Sequence, residues 1–225
     1  MREKIISLVC ILMLSVTAMG DVVKKTDKMT TSQKVKPSEP KPLPKSPKYG
    51  SVLIGLTANT SQVKVSDGTR VETVQMSGNS YGLAGAFEHS WRSLTFRHLV
   101  GYEQFKTLGA ATLIGCDNKT SKDCKTDISY LTAGSFLRYT FRDAPLKIWG
   151  ALGAYLKQPF SKTSTALVDS SMGTTFSYAL TLGADFQLND SNQFVPFLIE
   201  QQFYNKSDSV DSRSLTLRVG LGKSF

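Results

Sequence analysis

The chain has no apolar run long enough to cross a bilayer as a helix. Its longest, Ile5 to Val16, amounts to about 12 to 15 residues, against the roughly 20 that a spanning helix needs. Cysteine and histidine are scarce, with three and two residues in 225. No cluster of His, Cys, Asp and Glu stands at metal-ligand spacing, and no glycine-rich loop precedes a helix to cradle a phosphate, so neither a metal nor another cofactor is expected. Catalysis finds little to work with. His89 and Ser90 are adjacent on one extended stretch, so their side chains point to opposite faces and cannot form a nucleophile–base pair. A folded basic surface is also lacking. The formal charge is +9, but five units of that excess sit in residues 21–48, which hold eight lysines and three acids. Nucleic acid is therefore not an expected partner.

What is present begins with a targeting segment. Arg2 and Lys4 precede the apolar run, and Ala18-Met19-Gly20 offers the small residues a signal peptidase reads, so residues 1–20 are expected to be a signal peptide. No cysteine follows that cleavage point, which argues against a lipoprotein. Residues 21–48 combine lysine with Pro37, Pro40, Pro42, Pro44 and Pro47 and carry almost no large apolar residue. Such a segment cannot bury a core and favours an extended, self-repelling tether. Cys10 leaves with the signal peptide. Cys116 and Cys124 then remain, eight positions apart in one polar segment, and an exported chain is expected to join them as a disulfide.

From residue 49 to 225 the pattern is that of strands. Eight amphipathic stretches occur: Ser51–Ala58, Ser80–Trp91, Ser93–Phe105, Ser129–Phe141, Leu146–Lys157, Phe176–Leu188, Phe194–Tyr204 and Ser214–Phe225. Most are close to the 9 to 11 residues that carry a tilted strand across a bilayer. Long polar segments, Asn59–Asn79, Lys106–Ile128, Gln158–Thr175 and Asn205–Arg213, follow the odd-numbered stretches. Tight turns around Arg92, Arg142–Pro145 and Asn189–Asn192 follow the even ones. Long connections at one end and short ones at the other are the asymmetry of an outer-membrane barrel, with surface loops and periplasmic turns. An all-β, eight-stranded antiparallel up-and-down transmembrane barrel is the fold expected.

The two faces of each stretch differ. In the sixth, Phe176, Tyr178, Leu180, Leu182 and Phe186 alternate with Ser177, Ala179, Thr181, Gly183 and Asp185. A soluble barrel would coat its exterior with Lys and Glu, whereas this second face is small and suits a crowded lumen, so the bulky face is assigned to lipid. That choice turns Glu88, Glu103, Asp185 and Glu200 inward together with Arg97, Arg138, Lys147 and Arg218, four acids against four bases. Buried charges persist when paired and hydrogen-bonded, so a balanced lattice filling the lumen is expected. His89 and His98 fall on the outward face.

The final stretch places Leu215, Leu217, Val219, Leu221 and Phe225 on one side and ends on the aromatic residue itself. This resembles the terminal signal of bacterial outer-membrane barrels, read by the barrel-insertion machinery through Leu217, Val219, Leu221 and Phe225. Lys223 departs from it, standing where an apolar residue is usual. With its strand rhythm the chain resembles the OmpA-type transmembrane domain and OmpX-like barrels of the porin family. The resemblance implies a monomeric outer-membrane protein of a Gram-negative bacterium, both termini periplasmic, in contact with outer-membrane lipids and lipopolysaccharide. It implies a structural, anchoring or surface-interaction role and no enzymatic one. A narrow porin-like channel is the alternative, and a lipid-modifying enzyme stands further off. Residues 21–48 could touch peptidoglycan or a periplasmic protein through their charge.

Overall fold

The computed structural model describes residues 48–91, 94–116, 122–143, 146–167, 171–188 and 192–225. The expected signal peptide and all of the tether but Lys48 lie outside them, as do the tips of the three short turns. Eight strands follow in order: β1 (Lys48–Ser66), β2 (Val71–Trp91), β3 (Leu94–Ala110), β4 (Asp123–Asp143), β5 (Leu146–Ser164), β6 (Thr175–Gln187), β7 (Gln193–Tyr204) and β8 (Val210–Ser224). Each pairs antiparallel with the next, and β8 returns to β1 from Tyr49↔Ser224 to Val63↔Val210, closing the barrel. Closure gives every strand two neighbours. No sheet edge is left for lipid to solvate, which lipid cannot do.

The strands run further than the amphipathic stretches. Asn59–Asn79, expected as a loop, is a hairpin in which β1 and β2 stay in register from Lys48↔His89 to Ser66↔Val71. It turns at Gly68, whose φ of 90° few side chains tolerate. Asp67 organises the turn, its carboxylate accepting the backbone N–H groups of Thr69 at 3.0 Å and Arg70 at 2.8 Å, which holds that carboxyl well below the usual range. Likewise β3 continues to Ala110 and β5 to Ser164. These polar residues are strands because alternation, not hydrophobicity, is what a ladder requires.

The wall has the polarity expected of a barrel in lipid. Val52, Ile54, Val100, Leu152, Leu182 and Leu221 are more than half exposed on its outer side. Ring pairs such as Tyr81–Tyr102 at 6.0 Å and Tyr139–Phe141 at 5.3 Å stand near the two ends of that apolar belt. Phe194 shares the inward phase of Leu198, lies over Gly222 and meets Tyr49 edge-on at 6.0 Å in the short-turn mouth.

Inside, a buried slab of Leu53, Leu99, Phe136, Trp149, Tyr155 and Leu198 crosses the lumen with four alanines around it. Glycine makes the room. A Cβ on Gly183 would come within 2.3 Å of the Trp149 ring, and one on Gly134 within 2.5 Å of Tyr155.

Candidate functional site

Seven of the eight inward charges expected from the sequence are buried in the lumen, and they form two separate clusters rather than one lattice. The first lies toward the short turns. Glu88 and Arg97 face each other across β2 and β3, joined at 3.0 Å. Arg138 from β4 bridges Glu88 at 2.7 Å and Asp185 from β6 at 2.6 Å. Trp149, fully buried on β5, donates its indole N–H to Asp185 at 3.0 Å, and the guanidinium groups of Arg138 and Arg97 lie 4.4 Å and 4.9 Å from its ring centre. Two of the Arg97 nitrogens, Nε and Nη2, have no acceptor among the described residues. The Trp149 face is what partly offsets that cost.

The second cluster lies toward the long connections and contains a residue the sequence reading left out. Lys157, fully buried on β5, directs its ammonium to Glu103, to the Gln202 side-chain oxygen at 2.6 Å and to the Tyr204 hydroxyl at 2.9 Å. All three of its donors are used. Arg218 from β8 donates to Glu103 at 2.7 Å and to the Tyr155 hydroxyl at 3.1 Å, with Glu200 3.1 Å away. Tyr155 in turn donates to Glu200, and Gln202 donates to both Glu103 and Glu200.

Each cluster thus holds two acids and two bases and is neutral by itself. Lys147 is the eighth. It is half-buried near the short-turn mouth with its ammonium 5.6 Å from the Tyr49 ring centre, opposite Asp185 in the β5–β6 ladder. Parity could have found Lys157, since it shares the inward phase of Trp149 and Tyr155. At the end of an amphipathic stretch a lysine reads as a rim residue, and β5 instead continues to Ser164.

Above the second cluster come hydroxyls and an amide: Asn59 bonds Ser80 at 2.8 Å and accepts from Ser214 at 2.7 Å, and Ser61 accepts from Ser212 at 2.9 Å. Higher still the inward residues turn apolar. Val63, Val65, Val74 and Met76 pack with Ala111 and with Cys116 and Cys124, which form a disulfide with Cα atoms 5.3 Å apart. Beside them Met172, from the β5–β6 connection, is buried among Phe105, Ile128 and Tyr130. Glu72 fastens the β3–β4 connection to β2: its carboxylate accepts the backbone N–H of Thr112 at 2.7 Å, the Thr112 hydroxyl, and the N–H groups of Leu113 and Ile114. Those bonds, led by the Thr112 N–H, pull its pKa down to about 2.

A cavity of about 10 Å³ beside Leu53, Thr57, Glu103 and Arg218 is scarcely one water in size. On the last strand Leu217, Val219 and Leu221 face outward, and Phe225 is exposed with its N–H donated to the Lys48 carbonyl at 2.8 Å. Among the described residues no group of three or more His, Cys, Asp or Glu is disposed to hold a metal.

No family model and no curated protein sequence matches the chain. Among solved structures it is similar to the crystal structure of Neisserial surface protein A (NspA), at 16% identity over 78% of this chain and 99% of that one, with a TM-score of 0.46. It is similar also to Ail, the attachment invasion locus protein of Yersinia pestis, at 14% identity over 79% and 99% with a TM-score of 0.42. A third is the N-terminal β-barrel domain of Pseudomonas aeruginosa OprF, at 10% identity over 78% and 99% with a TM-score of 0.37. Identities this low concern the fold alone.

Proposed function

We propose that the protein is a sealed outer-membrane anchor whose barrel holds a rigid β-structured cap above the membrane for contacts at the cell surface. The observation that carries this reading is the filled lumen. Arg97, Trp149, Tyr155, Lys157, Glu200 and Gln202 are each at most 2% exposed, and each charge cluster is held by bonds between strands far apart in sequence. An eight-stranded barrel is just wide enough to be filled by side chains, and these fill it. Each cluster is neutral, so the buried charges of the lumen offer an ion no net field to follow. The apolar outer wall supports residence in lipid, and the export signal expected in residues 1–20 with the outward Leu217, Val219, Leu221 and Phe225 supports delivery to the outer membrane. The long connections are then extracellular and both termini periplasmic, where residues 21–48 serve as a basic spacer toward peptidoglycan or a periplasmic protein.

Planar-bilayer recording of the purified protein tests the reading. A silent bilayer is expected. Reproducible conductance steps would replace the sealed anchor with a narrow channel.

A further inference from the structure

The two histidines of the chain both stand on the outward face of the wall. His98 lies on β3 between Phe96 and Val100, with Tyr102 beyond, so it sits at belt depth rather than at a rim. Its Nδ1 is 3.2 Å from the hydroxyl of Ser135 on β4, a residue flanked along its own outward face by Ala133 and Leu137. His89 stacks against His98, ring centres 5.4 Å apart and planes 14° from parallel. Polar groups at such a depth are costly against lipid and point to a role.

Counting donors and acceptors narrows that role. A neutral imidazole and a serine hydroxyl have one N–H and one O–H between them. Their mutual bond uses one hydrogen and one acceptor, whichever tautomer is present, and leaves one donor and one acceptor on the pair. Hydrocarbon satisfies neither. A second copy of the same patch, turned by a two-fold axis along the membrane normal, offers the complementary acceptor and donor, so both needs are met twice by one self-facing contact. The wall around the pair is also low at Gly85, Ala133 and Ala154, with Phe87 and Val100 projecting beside them. Gly85, Val100 and Ala133 form one rung across β2, β3 and β4, and Phe87, His98, Ser135 and Ala154 form the next across β2 to β5. Small residues of this kind let backbones in lipid approach closely.

From this geometry we infer that the β2–β4 wall is an interface at which two copies of the protein associate side by side in the membrane, through reciprocal hydrogen bonds between His98 and Ser135. The inference goes beyond the anchoring role, since a sealed barrel serves that role equally as a monomer. It also departs from the monomer expected from the sequence.

Energy transfer between donor- and acceptor-labelled protein, extracted folded and reconstituted in phospholipid vesicles, measures the association as lipid is added. The wild type should reach a saturable dimer. His98→Phe and Ser135→Ala should each weaken it by roughly tenfold, the scale of one to two lost hydrogen bonds in a membrane, while Leu182→Phe on the far wall should leave it unchanged. The heat-dependent gel shift of a folded barrel verifies that each variant is native. An independent measurement keeps His98 and Ser135 intact: a bifunctional maleimide should join two copies carrying Ala133→Cys and not two carrying Ala184→Cys. A wild type that stays monomeric at every dilution, or a His98→Phe barrel as dimeric as the wild type, overturns the inference. So does an Ala133→Cys barrel that joins only to other proteins in whole membranes, or one found by native mass spectrometry to hold a phospholipid there instead.

Discussion

Along β1 the lumen-facing side chains run Gly55, Thr57, Asn59 and Ser61 and then Val63 and Val65, while the outward ones run Val52, Ile54 and Leu56 and then Gln62, Lys64 and Ser66. The strand inverts its polarity midway without a bulge, a turn or a change of register. β2 does the same in the other direction, with inward Met76 and Val74 above Ser80 and outward Gln75 and Thr73 above Leu83 and Tyr81. The lower part is a stave, apolar outside because lipid is there, while inside it the polar groups find one another on either side of an apolar slab. The upper part is an ordinary protein turned right way round, its apolar residues gathered beneath the loops and its polar ones in water. Backbone pairing is common to both, so the ladder has no preference between the two surroundings. What differs is the source of stability: satisfied polar networks joined to an apolar slab in the stave, apolar burial with a disulfide and no buried ion pair among the described residues in the cap.

The largest effect should come from breaking a network in the stave. Arg138→Met leaves Glu88 and Asp185 buried without the cation they share, and removing one partner of a buried pair costs about 3 to 5 kcal/mol. Urea unfolding of the reconstituted barrel should register that loss. The inversion itself is tested on one face of β1. Ile54→Lys should cost about 2 to 4 kcal/mol at membrane depth, whereas Lys64→Leu, higher on the same face, should change the same unfolding transition by less than about 0.5 kcal/mol. Equal costs at the two positions would end the distinction between stave and cap.

A smaller and more local effect is expected from the cap's staple. Replacing both cysteines, Cys116→Ser with Cys124→Ser, should loosen the cap by about 2 to 3 kcal/mol in the chain-entropy picture. Hydrogen exchange should quicken at Val63 and Val74 and stay unchanged at Leu53 and Leu198. The smallest is a matter of acid. The folded pKa of Glu72, about 2, lies below its ordinary 4.5, so its hold on the β3–β4 connection is complete above pH 4.5 and is lost as pH falls toward 2. Proteolysis by pepsin within that connection should therefore rise over this interval, and Glu72→Gln should raise cleavage at pH 5 while flattening the dependence.

The stave was legible in the sequence because two solvents act on its two faces, so alternation reports both the strand and its orientation. Leu217, Val219 and Leu221 could be assigned outward on parity alone. The same parity placed Glu88, Arg97, Glu103, Arg138, Asp185, Glu200 and Arg218 inside. Which of them would meet was not legible, since Arg138 reaches Asp185 across two strand boundaries, a matter of shear and side-chain length rather than of spacing. The cap reads as loop although Val63, Val65, Val74 and Met76 alternate as regularly as anything below them. Their neighbours are Gln, Lys, Ser and Thr, and a rule that seeks apolar residues on the lipid side finds none there. Ending the strands early at Ala58 and Lys157 also hid Lys157 as a lumen cation.

The pairing of β1 with β8 sets an order in time. Until the last strand arrives, the first has a bare row of amides along one side, and so does whichever strand was added most recently. A growing sheet in lipid would carry two such rows at every stage, and each further strand would move one of them without removing it. Only the eighth removes both at once. Insertion of this chain should accordingly have no stable halfway product: a chain cut at Tyr204 belongs to the chaperones and proteases that meet it, and the commitment to the membrane falls to the segment from Val210 to Ser224.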